Sequence, residues 1–387
     1  MGWPSAALGD LAEIERDSVA PESIRSGTRY VGLEHIASSG EFLCPPEVDA
    51  GELASSKFAF TSEHLLYGKL RPYLSKIARP DFSGVCSTDI LPIRPGPSLD
   101  RDFLHHYLRL PNMVKLANSR AAGANLPRLS PGVLAGFAVP LPPLPEQRRI
   151  AEVLDRAETL RAQRRQALAQ LDAFAEASFL ALFQGRDASH WPRVPIGAIA
   201  TKMRTGPFGS QLLHSEFVES GVAVLGIDNV VQNEFVWAQP RFITASKFKQ
   251  LERYRVAPGD VLVTIMGTCG RCAIVPEDMP VAINTKHLCC ITLDQDRCLP
   301  SYLQAALLQH PEALHQLGVH ERGAVMPGLN MQLIRDLVIP LPPLPIQGSL
   351  RSALAAVSSQ KQMFERSLTH LDILFTSLQH RAFRGEL

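Results

Sequence analysis

The sequence predicts two homologous mixed α/β (α+β) domains, each followed by a long helix, with the two helices packed on each other. Three observations predict this. The phrase VPLPPLPEQ ends at Gln147, and a near copy, IPLPPLPIQ, ends at Gln347, 347 − 147 = 200 positions later. The same offset relates Gly123, Pro127 and Leu129 to Gly323, Pro327 and Leu329, Asp172 to Asp372, and Phe183 of FQG to Phe383 of FRG. After each proline phrase, apolar residues recur on steps of three and four, the period of a helix face.

In chain order, residues 1–145 form the first globular domain. RYVGLEHI, HLLYGKL and GVCSTDILPIRP are short runs bounded by glycine, proline and serine, and predict strands. DRDFLHHYLRLPNMVKLA predicts a helix with an Asp cap and a face of Phe103, Tyr107 and Leu110. The first long helix, residues 146–184, has no proline between Gln147 and Phe183 and carries Ile150, Leu154, Ala157, Leu168, Leu171, Ala175 and Leu182 as its apolar stripe. Residues 185–345 repeat the domain pattern, with strands in GVAVLGI, DVLVTIM and VAINTKHLCCITL and a helix in LPSYLQAALLQHPEALHQL. The second long helix, residues 346–387, repeats the stripe at Leu350, Leu354, Val357, Leu368, Leu371, Phe375 and Ala382. A charge interrupts it at Arg161 in one copy and Lys361 in the other.

An a/d stripe over about four to five heptads is a coiled-coil signature. The rival reading, in which each helix packs only on its own domain, leaves the shared register unexplained. About 37 residues at 1.5 Å each make a rod roughly 55 Å long. Proline disfavours helical backbone before it and stiffens the chain, so PLPPLP reads as an extended strut aiming the chain into the helix. The rival there is a polyproline ligand for an SH3-type module.

At 387 residues, with 45% hydrophobic and 20% charged residues, the chain has enough apolar material for two ordinary cores. No apolar run approaches the roughly 18 residues of a membrane helix, and MGWPSAALGDLAEIERD lacks the pattern of an export signal. Seven scattered cysteines suit a reducing compartment, so a cytoplasmic location with no membrane partner is expected. Basic and acidic residues number 14 and 15 in residues 1–145, 6 and 6 in 146–183, 14 and 14 in 184–345, and 5 and 3 in 346–387. A strongly basic nucleic-acid arm is thereby excluded, and any such binding must use local patches or a basic partner. The phosphate loop, dinucleotide fingerprint, HExxH, GxSxG and an adenine-methyltransferase Asn/Asp-Pro-Pro-aromatic motif are all missing. CGRC at Cys269–Cys272, with Cys289 and Cys290, raises a zinc site. Adjacent strand residues point to opposite faces, which counts against it, and no metal ligands are assigned.

YVGLEHI, LLYGKLRPYLSKIA, GVCSTDI, GANLPRLSP and PLPPLPEQRRIAEVLD, followed by TGPFGSQL, GDVLVTIMGTCGRCAIV, INTKH and LQHRAFRGEL, make the whole chain resemble the specificity subunits of type I restriction–modification systems. PIQGSLRSAL departs from the pattern of PEQRRIAEVL and loses the counterparts of Arg148 and Arg149. The resemblance implies two target-recognition domains separated by an antiparallel coiled coil, each reading one half of a bipartite double-stranded DNA target. It further implies that the chain is not itself catalytic and binds no cofactor. Two methyltransferase subunits using S-adenosylmethionine would dock on the helices, and restriction subunits using ATP and Mg would join them. A type IIB-like methylation system, a zinc-dependent nuclease and a pure scaffold are the rivals.

Base and phosphate contacts call for Arg, Lys, Asn, Gln, hydroxyls and free amides. In the first domain GKLRPYLSK offers Lys69, Arg71, Tyr73 and Lys76, the first three on one face if the segment is extended. SRAAGANLPRLS offers Arg120, Asn125 and Arg128 on a small-residue loop. In the second domain KMRTGPFGSQL offers Arg204, Ser210 and Gln211, GTCGR offers Thr268 and Arg271, NTKH offers Asn284, Lys286 and His287, and HERGA offers Arg322. For each, the bland alternative is a turn or a solvated rim.

Overall fold

The computed structural model describes residues 3–183, 190–238, 240–318 and 329–387. The chain forms two compact units, residues 1–165 with 366–387, and residues 166–365. Each unit therefore holds one globular domain and parts of both long helices, which run Leu144–Ala181 and Leu344–Ala382.

The first unit contains an antiparallel sheet in the order Ala12–Ile14, Ile90–Pro95, Leu65–Gly68, Ile77–Ala78. Its strands are buried on both faces: Leu65, Tyr67, Leu91 and Ile93 enter a core with Phe103 and Leu104, while Leu66 and Ile90 face a second core with Val31 and Phe60. A second sheet runs Ser18–Val19, Lys57–Phe60, Gly84–Cys86, Thr28–Val31, Glu47–Val48, and its Thr28–Val31 strand is parallel to Gly84–Cys86. The second unit repeats this plan. Its antiparallel sheet runs Ala200–Thr205, Leu288–Leu293, Val261–Thr264, Cys272–Ile274, and its mixed sheet runs Phe242–Ile243, Val222–Leu225, Ala282–Asn284, Arg255–Val256. The parallel pair recurs between Val222–Leu225 and Ala282–Asn284. A two-stranded ribbon, Ser5–Ala7 with Ala138–Pro140 or Arg193–Pro195 with Val338–Pro340, closes each domain.

Two sequence expectations are corrected in detail. The single helix expected in each domain is two, Arg101–Leu108 then Pro111–Arg120, and Pro300–Gln309 then Pro311–Gln316. Proline at the first position of the second helix cannot extend the first. GVCSTDILPIRP and VAINTKHLCCITL each divide between the two sheets, with Ser87–Asp89 or Thr285–His287 as the connecting turn. The Asp100 cap is present and accepts from the Asp102 and Phe103 amides.

The repeated proline phrase has a common physical purpose. Gln147 is fully buried; its Oε1 accepts from the Asp100 amide at 2.8 Å and its Nε2 donates to the Ser98 and Pro142 carbonyls at 3.0 and 2.8 Å. Gln347 does the same with the Leu299 amide at 2.8 Å and the Arg297 and Pro342 carbonyls at 3.0 and 2.8 Å. Proline supplies no amide, so the strut needs a side chain to fasten it. Leu141 and Leu341 donate to the carbonyls of Pro4 and Pro192, beside Trp3 and Trp191. The far ends of the helices are anchored alike. Phe383 packs tilted against the rings of Phe103 and Tyr107 in the first unit, and Phe183 against Phe179, with edge contacts to His310 and Trp191, in the second.

Between these anchors the helices pack on each other, antiparallel. Ile150, Leu154 and Ala157 share a core with Phe375 and Ala382, and Leu350 with Phe179. Leu168, Leu171, Leu354, Leu368 and Leu371 are half-buried. The two charges that interrupt the stripe find partners. Arg161 bonds Asp372 at 2.6 Å and lies over the Phe375 ring, and Lys361 bonds Asp172 at 2.7 Å. Both pairings sum to the same value, 161 + 372 = 361 + 172 = 533, as an antiparallel duplicated pair requires.

In the first unit the long helix is also tied to its domain by charge. Asp155 accepts from His106 at 2.8 Å and from Arg79 at 3.0 and 2.8 Å, and Arg109 bonds Glu158 at 2.9 Å. Burial alone would raise the Asp155 carboxyl, but the hydrogen bonds from His106 and Arg79 outweigh it and hold it at about 2.

Replacing Gln147 or Gln347 by Ala orphans an amide and two carbonyls; each change is expected to cost about 1–3 kcal/mol, to a similar extent, in urea unfolding. Asp155, depressed below its unfolded value of 3.8, contributes its full stabilisation above about pH 4 and loses it as the pH falls through about 2. Asp155→Asn should therefore lower stability at pH 7 by about 1 kcal/mol, solvent screening included, and converge with wild type in strong acid.

Candidate nucleic-acid interface

The sequence-predicted contact residues divide sharply. In the first domain the tip between Leu65–Gly68 and Ile77–Ala78 is not extended: Pro72–Leu74 is a turn of 3-10 helix, with Arg71 and Ser75 both at φ 51° on its two sides. The expected common face of Lys69, Arg71 and Tyr73 by alternation therefore does not form. Proline at position 72 starts the turn instead. The tip is nevertheless joined to the other candidate loop. Arg71 donates its amide to the Pro127 carbonyl at 2.7 Å, and Leu129 donates to Lys69 at 2.9 Å. Arg71, Tyr73, Arg120, Asn125 and Arg128 are exposed, with Lys69 half-buried. Arg128 pairs with Asp89 at 3.0 Å. Lys76 is turned inward, donating Nζ to the Leu33 carbonyl at 2.6 Å.

In the second domain three loops meet. Ile265 donates to the His287 carbonyl at 2.9 Å, and Gly206 donates to the Thr285 carbonyl at 3.3 Å. A Cβ on Gly206 would lie 2.0 Å from the Asn284 carbonyl oxygen, so only glycine allows this approach. Ser210, Thr268 and Arg271 are exposed, and Lys286 and His287 are half-buried. Partial burial, with the Lys286 and Arg241 charges nearby, pushes the His287 ring below its ordinary value, so near neutrality it offers a neutral donor and acceptor. Gln211 is exposed and accepts from the Tyr254 hydroxyl at 2.8 Å. Arg322 lies outside the described residues.

Two candidates are corrected. Asn284 is wholly buried, donating to the Leu288 carbonyl at 2.9 Å. Arg204 is buried and bonds Asp260 at 2.5 Å, the Arg255 carbonyl at 2.9 and 2.6 Å, and Thr292 at 2.8 Å, while Thr292 and the Ala257 amide also bond Asp260. The first domain shows what Arg204 is for. Asp260 and His64 each precede the matching strand, Thr292 and Arg94 are each fifth in theirs, and Arg204 and Glu15 each lie opposite its third residue. There Glu15 bonds His64 at 2.8 Å and Arg94 at 2.5 Å. The same knot is thus tied with opposite charges, which is compatible with an internal lock and not with a contact to phosphate.

The zinc arrangement also fails on geometry. Cys289 sits in the core with Val261 and Val263, and Cys290 in the opposite core with Leu262. Burial pushes the Cys289 thiol up to about 12. Among the described residues, His106, Asp155 and Glu158 could bring ligand atoms within 4.8 Å of one another, but Arg79 and Arg109 already supply the positive charge there.

Both sets of loops lie at matching edges of matching sheets. The family model for the type I restriction modification DNA specificity domain matches residues 2–171 and again 199–368. The chain belongs to this family. The family model thus repeats within the chain as the two domains do. The EcoDI specificity subunit of Escherichia coli is 30% identical over 178 residues, 45% of this chain and 37% of that protein. The EcoBI specificity subunit of Escherichia coli is 24% identical over 317 residues, 74% of this chain and 66% of that protein. The matched part thus spans between about a third and two thirds of these family members. In fold, the chain is similar to the S subunit of a type I system from M. genitalium, with a TM-score of 0.62 at 12% identity, covering 99% and 96% of the two chains. A chain solved in work on complex assembly and conformational transition of the type I R-M system gives 0.61 at 20%, covering 100% and 98%. No helix among the described residues is long and apolar enough to cross a membrane.

Arg204→Ala leaves Asp260 buried without its cation and is expected to cost about 3–5 kcal/mol in denaturant unfolding. A loss of DNA affinity with unchanged stability would contradict the internal role.

Proposed function

We propose that this chain is the sequence-reading subunit of a type I restriction–modification complex, each domain reading one half of a bipartite duplex target. The observation that carries this reading is the duplicated specificity domain with exposed donors on the same sheet-edge tip in both copies: Arg71 and Tyr73 in one, Thr268 and Arg271 in the other. The relatives are specificity subunits by name, which supports a reader without chemistry of its own.

Methylation and cleavage then belong to partners. Two methyltransferase subunits carrying S-adenosylmethionine would dock on the helix pair, and restriction subunits with ATP and Mg would complete the complex. The helix surfaces support protein docking. Leu160, Ile373 and Leu374 in the first unit and Phe174 and Met363 in the second are about half exposed or more, an unusual density of large apolar groups for a solvated helix. Phe174 and Leu374 stand 374 − 174 = 200 positions apart, as two docking sites for identical subunits would.

The chain mixed with its methyltransferase partner should shift one bipartite duplex in a gel, and duplexes carrying either half alone should compete at least about tenfold less well. Leu171→Asp, which places an unpaired carboxylate in the seam, should reduce the preference for the complete target. Binding without sequence preference would contradict the proposal.

A further inference from the structure

We infer that Arg71 is the guanine-reading residue of the first domain and that the second domain reads its half-site without a counterpart; this rests on the DNA-reading function proposed above. The two sheet-edge tips are flanked by matching bonds, with one residue more in the first tip than in the second. Lys69 donates to the Asp89 carbonyl as Ile265 donates to the His287 carbonyl, both at 2.9 Å. Gly68 donates to Lys76 at 2.8 Å as Thr264 donates to Arg271 at 2.9 Å. Counting inward from these bonds, Arg71 corresponds to Gly267 and Ser75 to Gly270.

All four residues have left-handed backbone, with φ of 51° at Arg71 and Ser75, 76° at Gly267 and 84° at Gly270. Glycine takes this conformation freely and arginine does not. The second domain uses the residue the backbone prefers; the first holds an arginine against that preference. Strain of this sort is retained where a side chain is needed in place. Packing does not require it, because Arg71 is exposed and its side chain makes no hydrogen bond or ion pair with any described residue. Arg79, Arg94, Arg101, Arg109 and Arg128 of the same domain are paired; Arg16, Arg25 and Arg120 share the free side chain of Arg71 but not its left-handed backbone. The Arg71 amide bond to Pro127 pins the backbone from which the guanidinium projects. A free, planar, two-pronged donor on a pinned backbone fits the O6 and N7 acceptors of guanine in the major groove.

The test uses the chain assembled with its methyltransferase partner, competition binding against duplexes substituted one base pair at a time, and a melting curve of each variant. Arg71→Gly should melt at or above the wild-type temperature and lose about 10–100-fold discrimination at one G·C pair of the first half-site, with the second half-site unaffected. In the wild-type complex, 7-deazaguanine at that pair should weaken binding similarly. Ser75→Gly should share the thermal effect and keep full discrimination. Discrimination retained by Arg71→Gly overturns the inference. So does a uniform loss over all duplexes with a shallower salt dependence, the mark of a phosphate contact, and so does a clear fall in melting temperature. If the wild-type complex prefers no duplex at all, the proposed function fails first, and the inference with it.

Discussion

A buried glutamine at the start of each long helix fastens a strut that cannot fasten itself. PLPPLP offers almost no amides, so its direction is set by Gln147 or Gln347, which makes two hydrogen bonds to the turn before the domain's helices and a third to a carbonyl of the strut itself. Each helix then crosses from one compact unit into the other and ends under an aromatic cluster there, Phe383 with Phe103 and Tyr107, Phe183 with Phe179 and Trp191. A unit therefore contains the beginning of one helix and the end of the other. The paired charges Arg161–Asp372 and Lys361–Asp172 lock the register within each unit, a use of polar groups in a seam that specifies alignment more than it adds stability.

Duplication supplies an internal control that a single domain lacks. Where both copies keep the same interaction with the same residue, as at the glutamines, the constraint is on the backbone. Where both keep the interaction but exchange its charges, as in Glu15 with His64 and Arg94 against Arg204 with Asp260 and Thr292, the constraint is on satisfying a buried knot. Where the flanking bonds and the left-handed positions recur but the side chains differ freely, as at the sheet-edge tips, the constraint lies outside the molecule. Recognition should be sought in this third class.

The architecture was legible because it is written twice. The 200-residue offset, the apolar stripes and the matching Arg161 and Lys361 predict the domains and the helix pair, and Asp172 and Asp372 stand in the sequence as a repeated charge that finds its partner only in the fold. The interface was legible only as a set of loops. Sequence shows an arginine beside glycines at Arg204, but not that the strand turns it inward against Asp260; it shows Asn284 in a polar phrase, but not that the phrase bends between two sheets. The tip at Lys69–Lys76 departs from strand alternation because the proline at position 72 starts a turn of 3-10 helix. The glutamine clamps carry a signal, since both proline phrases end in Gln, but two of each glutamine's three partners are backbone groups 47 to 50 residues earlier that no side-chain pattern marks.

The central claim is that two separate reading surfaces in one chain direct a methylating partner. Genome-wide mapping of methylated adenine in a host expressing this chain with its methyltransferase subunit tests it most directly, run once with the natural chain and once with residues 185–345 exchanged for those of another family member. The account predicts a motif of two fixed halves around an unread spacer, with one half unchanged and the other replaced after the exchange. A single undivided motif, or an exchange that alters both halves together, would contradict it.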